Sequence, residues 1–479
     1  MSYEVTIGLE AHVQLSTRSK AFCGDRNAFG AEPNHHVSPL SLGYPGTLPW
    51  LNEEQVRAAV RLGLALDCRI NRRSTFDRKN YCYADLPKGY QITQDERPIC
   101  SGGRLPIRTR QGQRDVRIHH IHMEEDAGKS IHQEGQSSSL VDLNRAGTPL
   151  LEIVTEPDLH SGPEVDAFMS ELRRLVRYLG ISDGNMEEGS LRCDVNISVR
   201  PEGQTDLGTR CEIKNMNSMR FARRAIDYEV RRQIAVLEGG GRVVQQTRQY
   251  DPVTDRTTAL REKEDAHDYR YFPDPDLPPV VLADAFIDDE RSALGRLPWE
   301  AFGELTAGGV DTKDAALLTE DPAHYARYRT YVSATSHTGL LTKLWINRIL
   351  PFLTDIAPAR RRPDGIAGFP PERMHALLQL IADGTVAPAQ AASRLLPDLL
   401  ARPGDPRERA EQLGLIQNRD TDYLKSLAKE VIATYPQKVR AYRRGKKGLL
   451  GFFMGEVMRR SNGSAAPRET QTLLRELLD

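Results

Sequence analysis

Residues 4–15 alternate without interruption: Val5, Ile7, Leu9, Ala11, Val13 and Leu15 are apolar, while Glu4, Thr6, Gly8, Glu10, His12 and Gln14 lie between them. A period of two puts successive side chains on opposite faces of a strand. It also excludes a helix, whose apolar positions return every three or four residues. The same rule holds in 190–200, where Leu191, Cys193, Val195, Ile197 and Val199 interleave with Ser190, Arg192, Asp194, Asn196, Ser198 and Arg200. In 209–214, Arg210, Glu212 and Lys214 oppose Cys211 and Ile213. One packing face and one polar face predict an antiparallel sheet.

This texture does not persist along all 479 residues. Residues 1–293 read as one sheet-rich domain, 294–405 show helical spacing (AALLTEDPAHYARYRTYV, RMHALLQLIADGTVAPAQAASRLLPDLL), and 406–479 form a small basic helical module. A Pro/Gly/Arg stretch, 358–373, reads as a linker or exposed loop. Acidic and basic residues nearly cancel, 66 against 65, which excludes a strongly basic chain but not a local nucleic-acid surface. The N-terminus lacks the basic start and apolar run of a signal peptide, and no apolar stretch is long enough for a membrane helix. The six cysteines (Cys23, Cys68, Cys82, Cys100, Cys193, Cys211) are scattered and include no C-x-x-C pair. Free thiols in the cytoplasm, without a zinc site, are therefore expected.

Most polar strand faces simply meet water. These faces carry Glu10-x-His12, Arg192-x-Asp194-x-Asn196 and Arg210-x-Glu212-x-Lys214, a mixture that also suits a divalent metal and the phosphates it accompanies. In IHHIHMEEDAGKSIH (118–132), the triplet Glu124-Glu125-Asp126 is either a solvated turn or a charge cluster relieved by a cation. His119 and His120 alternate across a strand, so a ring of histidine ligands is not expected, and His122 reads as a supporting residue. Glu152 interrupts the apolar run Leu150–Val154: either it has a partner, or it faces outward from an edge strand. The proline-rich segment 267–279, with Arg270, Asp274 and Asp276, reads equally as a lid or a spacer.

There is no G-x-x-x-x-G-K-[ST] loop and no G-x-G-x-x-G fingerprint, so a bound nucleotide would lie on a sheet face. The serine run 137–139 lacks the glycines that shape a hydrolase nucleophile turn. Between Lys438 and Arg460 there are eight basic residues and one acid, Glu456, around Phe452, Phe453 and Met454. We expect Phe452, Phe453 and Val457 to pack while Arg443, Arg444, Lys446 and Lys447 face RNA.

Eight motifs, in order from end to end, resemble the B subunits of aspartyl/glutamyl-tRNA amidotransferases: GLEAHVQL, DLPKGYQIT, MEEDAGKS, VDLNRAGTPLLEIVTEPD, NMEEGSLRCDVNIS, CEIKNMNS, HDYRYFPDPDLPP and GFFMGEVM. The resemblance implies an α+β fold: an antiparallel-sheet cradle related to glutamine synthetase, then an all-α helical domain and a small helical tail. It implies ATP- and Mg²⁺-dependent phosphorylation of the side-chain carboxylate of Glu or Asp misacylated onto tRNA, followed by amidation. Ammonia would come from the amidase (glutaminase) of the same enzyme, its A subunit, with a small C subunit joining the two. Carried over motif by motif, it implies metal ligands and catalytic groups at Glu10, His12, Glu125 and Glu152. Nucleotide or acyl contacts fall at Lys79, Lys88, Asn144, Arg145, Arg192, Asp194 and Lys214. Many members carry Cys-x-x-Cys where this chain has Ser38-Pro39-Leu40-Ser41, so no structural zinc is expected. The competing reading is a non-catalytic tRNA-binding scaffold.

Overall fold

The computed structural model describes residues 2–132, 138–216, 218–262, 269–354 and 369–479. Ser137, His267, Asp268 and residues 358–368 of the Pro/Gly/Arg stretch lie outside the described residues. The chain divides into two compact units, Met1–Ala301 and Phe302–Asp479.

A ten-stranded sheet, counted among the described residues, frames the first unit. Five strands matter most: β1 (Tyr3–Gln14), β2 (Gly112–Glu125), β3 (Pro149–Thr155), β4 (Leu191–Pro201) and β5 (Cys211–Met216). Across the sheet they run β5, β4, β1, β3, β2, with Gln246–Asp251 and Arg256–Glu262 beyond β5. These neighbours pair antiparallel except β5 with Gln246–Asp251, which is parallel; the helix Met219–Glu238 makes the crossover that a parallel pair needs. The unit is thus α+β with a nearly antiparallel sheet.

The alternation read from β1 is what the sheet uses. Ile7, Leu9, Ala11 and Val13 are at most 1% exposed and join Val195, Ile197, Ile153, Ile121 and Met123 in one core. Helices Glu53–Ala65, Gly162–Tyr178 and Met219–Glu238 cover that face with Val56, Leu62, Phe168, Leu172, Ala222 and Ile226. Burying so many aliphatic side chains at about 1.5–3 kcal/mol each holds the polar face in a fixed register. The central strand β1 pairs on both sides, so no residue near its middle can slip by one position without inverting its faces.

The second unit is helical. Aspartates at 311, 321, 405 and 420 cap its helices through backbone N–H groups. Near the C-terminus, helices Thr421–Thr434, Leu450–Arg460 and Pro467–Leu478 enclose Leu424, Val431, Phe453, Val457 and Leu474. Among the described residues, no helix is long and apolar enough to cross a membrane.

Candidate active site on the polar face of the sheet

Register brings distant motifs together. His12 stands opposite Glu152 on β3 and Arg192 on β4, and Glu152 in turn stands opposite His122 on β2. One pleat along, Glu10 pairs with Asp194. Two acid-centred groups result: His12, Glu124 and Glu152, and beside them Glu10, Asp194 and Glu212, with potential ligand atoms within 4.8 Å in each group. They flank a cleft of about 910 Å³ on whose walls Lys79, Arg145, Arg192 and Lys214 also lie.

Glu152 is on a central strand, not an edge. Its Oε2 lies 3.2 Å from Nε2 of both His12 and His122, and Glu124 approaches the same two rings at 3.7 and 3.6 Å. Burial works against a charge on His12, yet Glu152 and Glu124 outweigh it and raise its pKa to about 9. The same balance takes His122 to about 10. His120, on the same face, is pushed down to about 4 by burial and by His122 and His119, against a smaller pull from Glu152. A field strong enough to keep two buried imidazoles cationic is one that a divalent ion would meet favourably. Carboxylate oxygens with an imidazole nitrogen fit Mg²⁺ or Mn²⁺.

In the second group, burial raises the pKa of Asp194, with Glu212 and Glu152 adding to the effect and Lys214 opposing it. Lys214 Nζ sits 3.6 Å from Asp194 and 3.4 Å from Glu212. Lys79 keeps its charge despite burial because Tyr271, Glu124 and Glu152 face it, and its Nζ lies 4.8 Å from the Tyr269 ring centroid. The 269–279 part of the proline-rich loop is clamped: Arg78 donates to Asp274 at 2.7 Å and to Asp276 at 2.6 Å. Arg192 is aimed by Asp126, which accepts from it and from Gln14, each at 2.7 Å.

Several sequence expectations change here. The Glu124-Glu125-Asp126 triplet is not a solvated turn, since all three residues are at most 5% exposed. Glu125 is not in the ligand group. It shares the strand parity of Ile121 and Met123, and its carboxylate binds Lys88 Nζ and the Ile92 N–H (3.0 Å). The oxygen supplied beside His12 and Glu152 is that of Glu124. Lys88 is consequently engaged away from the acid groups, and Asn144 accepts from His36 N and donates to Glu32 O, tying a loop instead of facing the cleft. Sequence reasoning missed Glu124 and Glu212 as ligands, while His122, read as a supporting residue, stands 3.2 Å from Glu152 outside both groups. The apolar pair Ile121 and Met123 was the signal for Glu124, because it sets the polar parity on His122 and Glu124.

At the Ser38–Ser41 position, the Asp25 carboxylate accepts from Ser38 N (2.9 Å) and Ser41 Oγ, and Cys23 Sγ lies 3.6 Å from Ser41 Oγ. In the tail, Phe453 and Val457 are buried and Phe452 is half-buried against Tyr435. Arg443 donates to Leu478 O at 2.9 Å and Lys447 pairs with Asp479, and Arg443, Arg444, Lys446 and Lys447 are all exposed.

Comparison with known proteins shows the family. Residues 5–288 match the family described as the GatB/GatE catalytic domain, and residues 332–478 the GatB domain. The chain is 47% identical to a protein of Halorhodospira halophila and 46% identical to one of Alkalilimnicola ehrlichii, each over the whole of both chains. It is 45% identical to one of an Anaeromyxobacter species over 99% of both. All three are named as the B subunit of the aspartyl/glutamyl-tRNA(Asn/Gln) amidotransferase. With full-length similarity at this level, the chain belongs to the B-subunit family of the tRNA-dependent aspartyl/glutamyl amidotransferases.

Proposed function

We propose that the 910 Å³ cleft is where the side-chain carboxylate of Glu or Asp carried on tRNA is phosphorylated by ATP and then amidated. The observation that carries this reading is the pair of acid groups one pleat apart with Lys79, Arg192 and Lys214 around them. A carboxylate attacking a phosphate must overcome repulsion between anions, and these cations lower it. The carboxylate oxygen bonds to the γ-phosphorus as the bond to ADP breaks. Ammonia then bonds to the acyl carbon, phosphate leaves with the electron pair, and one proton is released. The chain's role is positioning: Asp126 fixes Arg192, and the Tyr269 ring lies beside Lys79. Cys193, at the cleft wall, has its thiol pKa pushed up by burial.

The residues that would hold divalent ions are Glu10, Asp194 and Glu212, and His12, Glu124 and Glu152. Mg²⁺ bound there supplies charge neutralisation on the transferring phosphate. The cradle is read as akin to glutamine synthetase and the helical unit as divided near 405. Partners are misacylated tRNA held by the basic tail, the glutaminase (A) component of the enzyme and its small C component, all in the cytoplasm.

The test is γ-phosphate release and amide formation by the complex with its amidase partner. Glu-tRNA(Gln) or Asp-tRNA(Asn), Mg²⁺ and ammonium are supplied, with Glu152→Gln beside wild type. Both products should require charged tRNA. The variant should lose more than the roughly 10–100-fold that removing an outer-shell partner of a metal costs. Tight tRNA binding without ATP turnover would favour the scaffold instead.

A further inference from the structure

The strand that carries Glu124 outruns its neighbours. On the side of β2 away from β3, ladder pairing ends where Ile121 stands opposite Cys100. Among the described residues, no strand pairs with 123–125 on that side. Glutamine side chains take the missing strand's place. Gln94 Oε1 accepts from Met123 N at 3.0 Å, and Gln91 Nε2 donates to Glu125 O at 2.7 Å. From the helix Glu53–Ala65, Gln55 Nε2 donates to Glu124 O at 2.9 Å and to Leu150 O on β3 at 3.2 Å. The phosphoryl-transfer chemistry does not itself use these glutamines.

Glu124 depends on that support. His12 and Glu152 face each other across the paired strands β1 and β3, so the ladder itself fixes them. Glu124 lies one residue from the end of β2. Its carboxylate is met at long range, by Thr93 Oγ1 at 3.4 Å, His122 at 3.6 Å and His12 at 3.7 Å. Contacts of that length steer a side chain weakly, so the path of the backbone decides where the carboxylate points. A metal leaves little latitude, since its ligand atoms must fall within about 0.2 Å of the preferred distance.

Gln55 is the group that sets this path. It is fully buried, the single polar residue among the buried residues of its helix. Its Nε2 bonds Glu124 O and Leu150 O together, and so pins the end of β2 to β3 two residues before Glu152. Turning the amide over would set Oε1 against two carbonyl oxygens, so its orientation is fixed. Its Oε1 is left buried with no hydrogen-bond partner among the described residues. A buried polar atom in that state costs stability. Stability alone therefore does not account for a glutamine here, whereas a fixed spacing between the strand ends that carry Glu124 and Glu152 does.

We propose that Gln55 is a positioning residue, which holds the end of β2 where the Glu124 carboxylate meets a divalent ion shared with His12 and Glu152. The inference rests on the reading of those three residues as an ion site. Gln55 touches neither the ion nor a substrate; it acts through the Glu124 backbone.

The experiment measures the Mn²⁺ affinity of the complete enzyme complex by titration calorimetry, beside its melting temperature, in a double-mutant cycle of Gln55→Met and Glu124→Gln. Val60→Ala, a buried apolar change on the same helix, is the control for lost packing. Gln55→Met alone should weaken Mn²⁺ about tenfold or more, as losing a residue that aims a metal ligand does. In the Glu124→Gln background it should weaken Mn²⁺ no further, because the ligand it aims is already gone. Val60→Ala should lower the melting temperature and leave Mn²⁺ affinity unchanged. Three results overturn the proposal: wild-type Mn²⁺ affinity in Gln55→Met, a loss that adds in full to that of Glu124→Gln, or an equal loss in Val60→Ala. Should Gln55→Met not fold, Gln55→Asn, which keeps the amide but draws it back by one methylene, is read in the same way. A wild type that binds no Mn²⁺ refutes the ion site itself and the inference with it. A wild type that binds beside a Gln55 variant that binds equally refutes the inference alone.

Discussion

Glu124 and Glu125 are adjacent in sequence and differ in everything else, so paired substitutions separate their roles. Glu124 touches its neighbours at long range, with His12 and His122 at 3.7 and 3.6 Å and Thr93 Oγ1 at 3.4 Å. Changing it to Gln removes one of two carboxylates around His12 while disturbing little packing. We expect Mn²⁺ affinity, measured by titration calorimetry, to fall about 100-fold or more, and the melting temperature to change little. Glu125→Gln does the reverse. It leaves Lys88, whose side chain is 12% exposed, beside a neutral amide, while the Ile92 N–H still has an oxygen to bond. Breaking a buried pair from one side costs about 3 kcal/mol at the low end, or about 6 °C in melting temperature. Mn²⁺ affinity should be unaffected. The outcome that would refute this assignment is the opposite crossing, in which Glu125→Gln weakens Mn²⁺ while Glu124→Gln leaves it intact.

Glu229 ties the Met219–Glu238 helix to the sheet edge through Arg232 (2.6 Å), Arg248 (3.2 Å) and Thr257 (2.9 Å), and its side chain is fully buried. Burial alone would raise its pKa, but hydrogen bonds from Arg232 and Gln233 prevail and hold it below the usual carboxylate value. A depressed folded pKa contributes stability above the unfolded value of about 4.3, and that stability is lost as pH falls through the folded pKa. Glu229→Gln should therefore lower stability by about 3 kcal/mol at pH 7, with the gap from wild type closing below about pH 4 in denaturant melts. In the tail, Arg444→Gln with Lys446→Gln should weaken tRNA binding and reduce the salt-dependence slope by about 2, whereas Arg443→Gln should chiefly loosen the Leu478 end of the last helix. Elemental analysis of the purified protein should find less than about half an equivalent of zinc, because thiolate and imidazole are its usual structural ligands and the Ser38–Ser41 stretch offers instead a Ser41 hydroxyl bonded to Asp25.

Much of the site was legible in the residues because strand alternation is a local rule. It alone puts Glu10 with His12, Arg192 with Asp194 and Asn196, and Glu212 with Lys214, each set on a polar face. The Ile121–Met123 spacing likewise carries the parity that separates Glu124 from Glu125, although the slip opposite Val154–Thr155 breaks the simple count through His119 and His120. What local spacing could not decide is which faces meet. Glu152 comes beside His12, and Asp194 beside Glu10, only through the pairing of β1 with β3 and β4, strands more than a hundred residues away. The fate of Glu125 and Asn144 was equally hidden, because each is taken up by a partner that folding brings to it. The sequence by itself determined the faces, since a side chain's direction depends on its own strand. Tertiary structure alone decided the neighbours, since register across a sheet is set by the burial of the whole core.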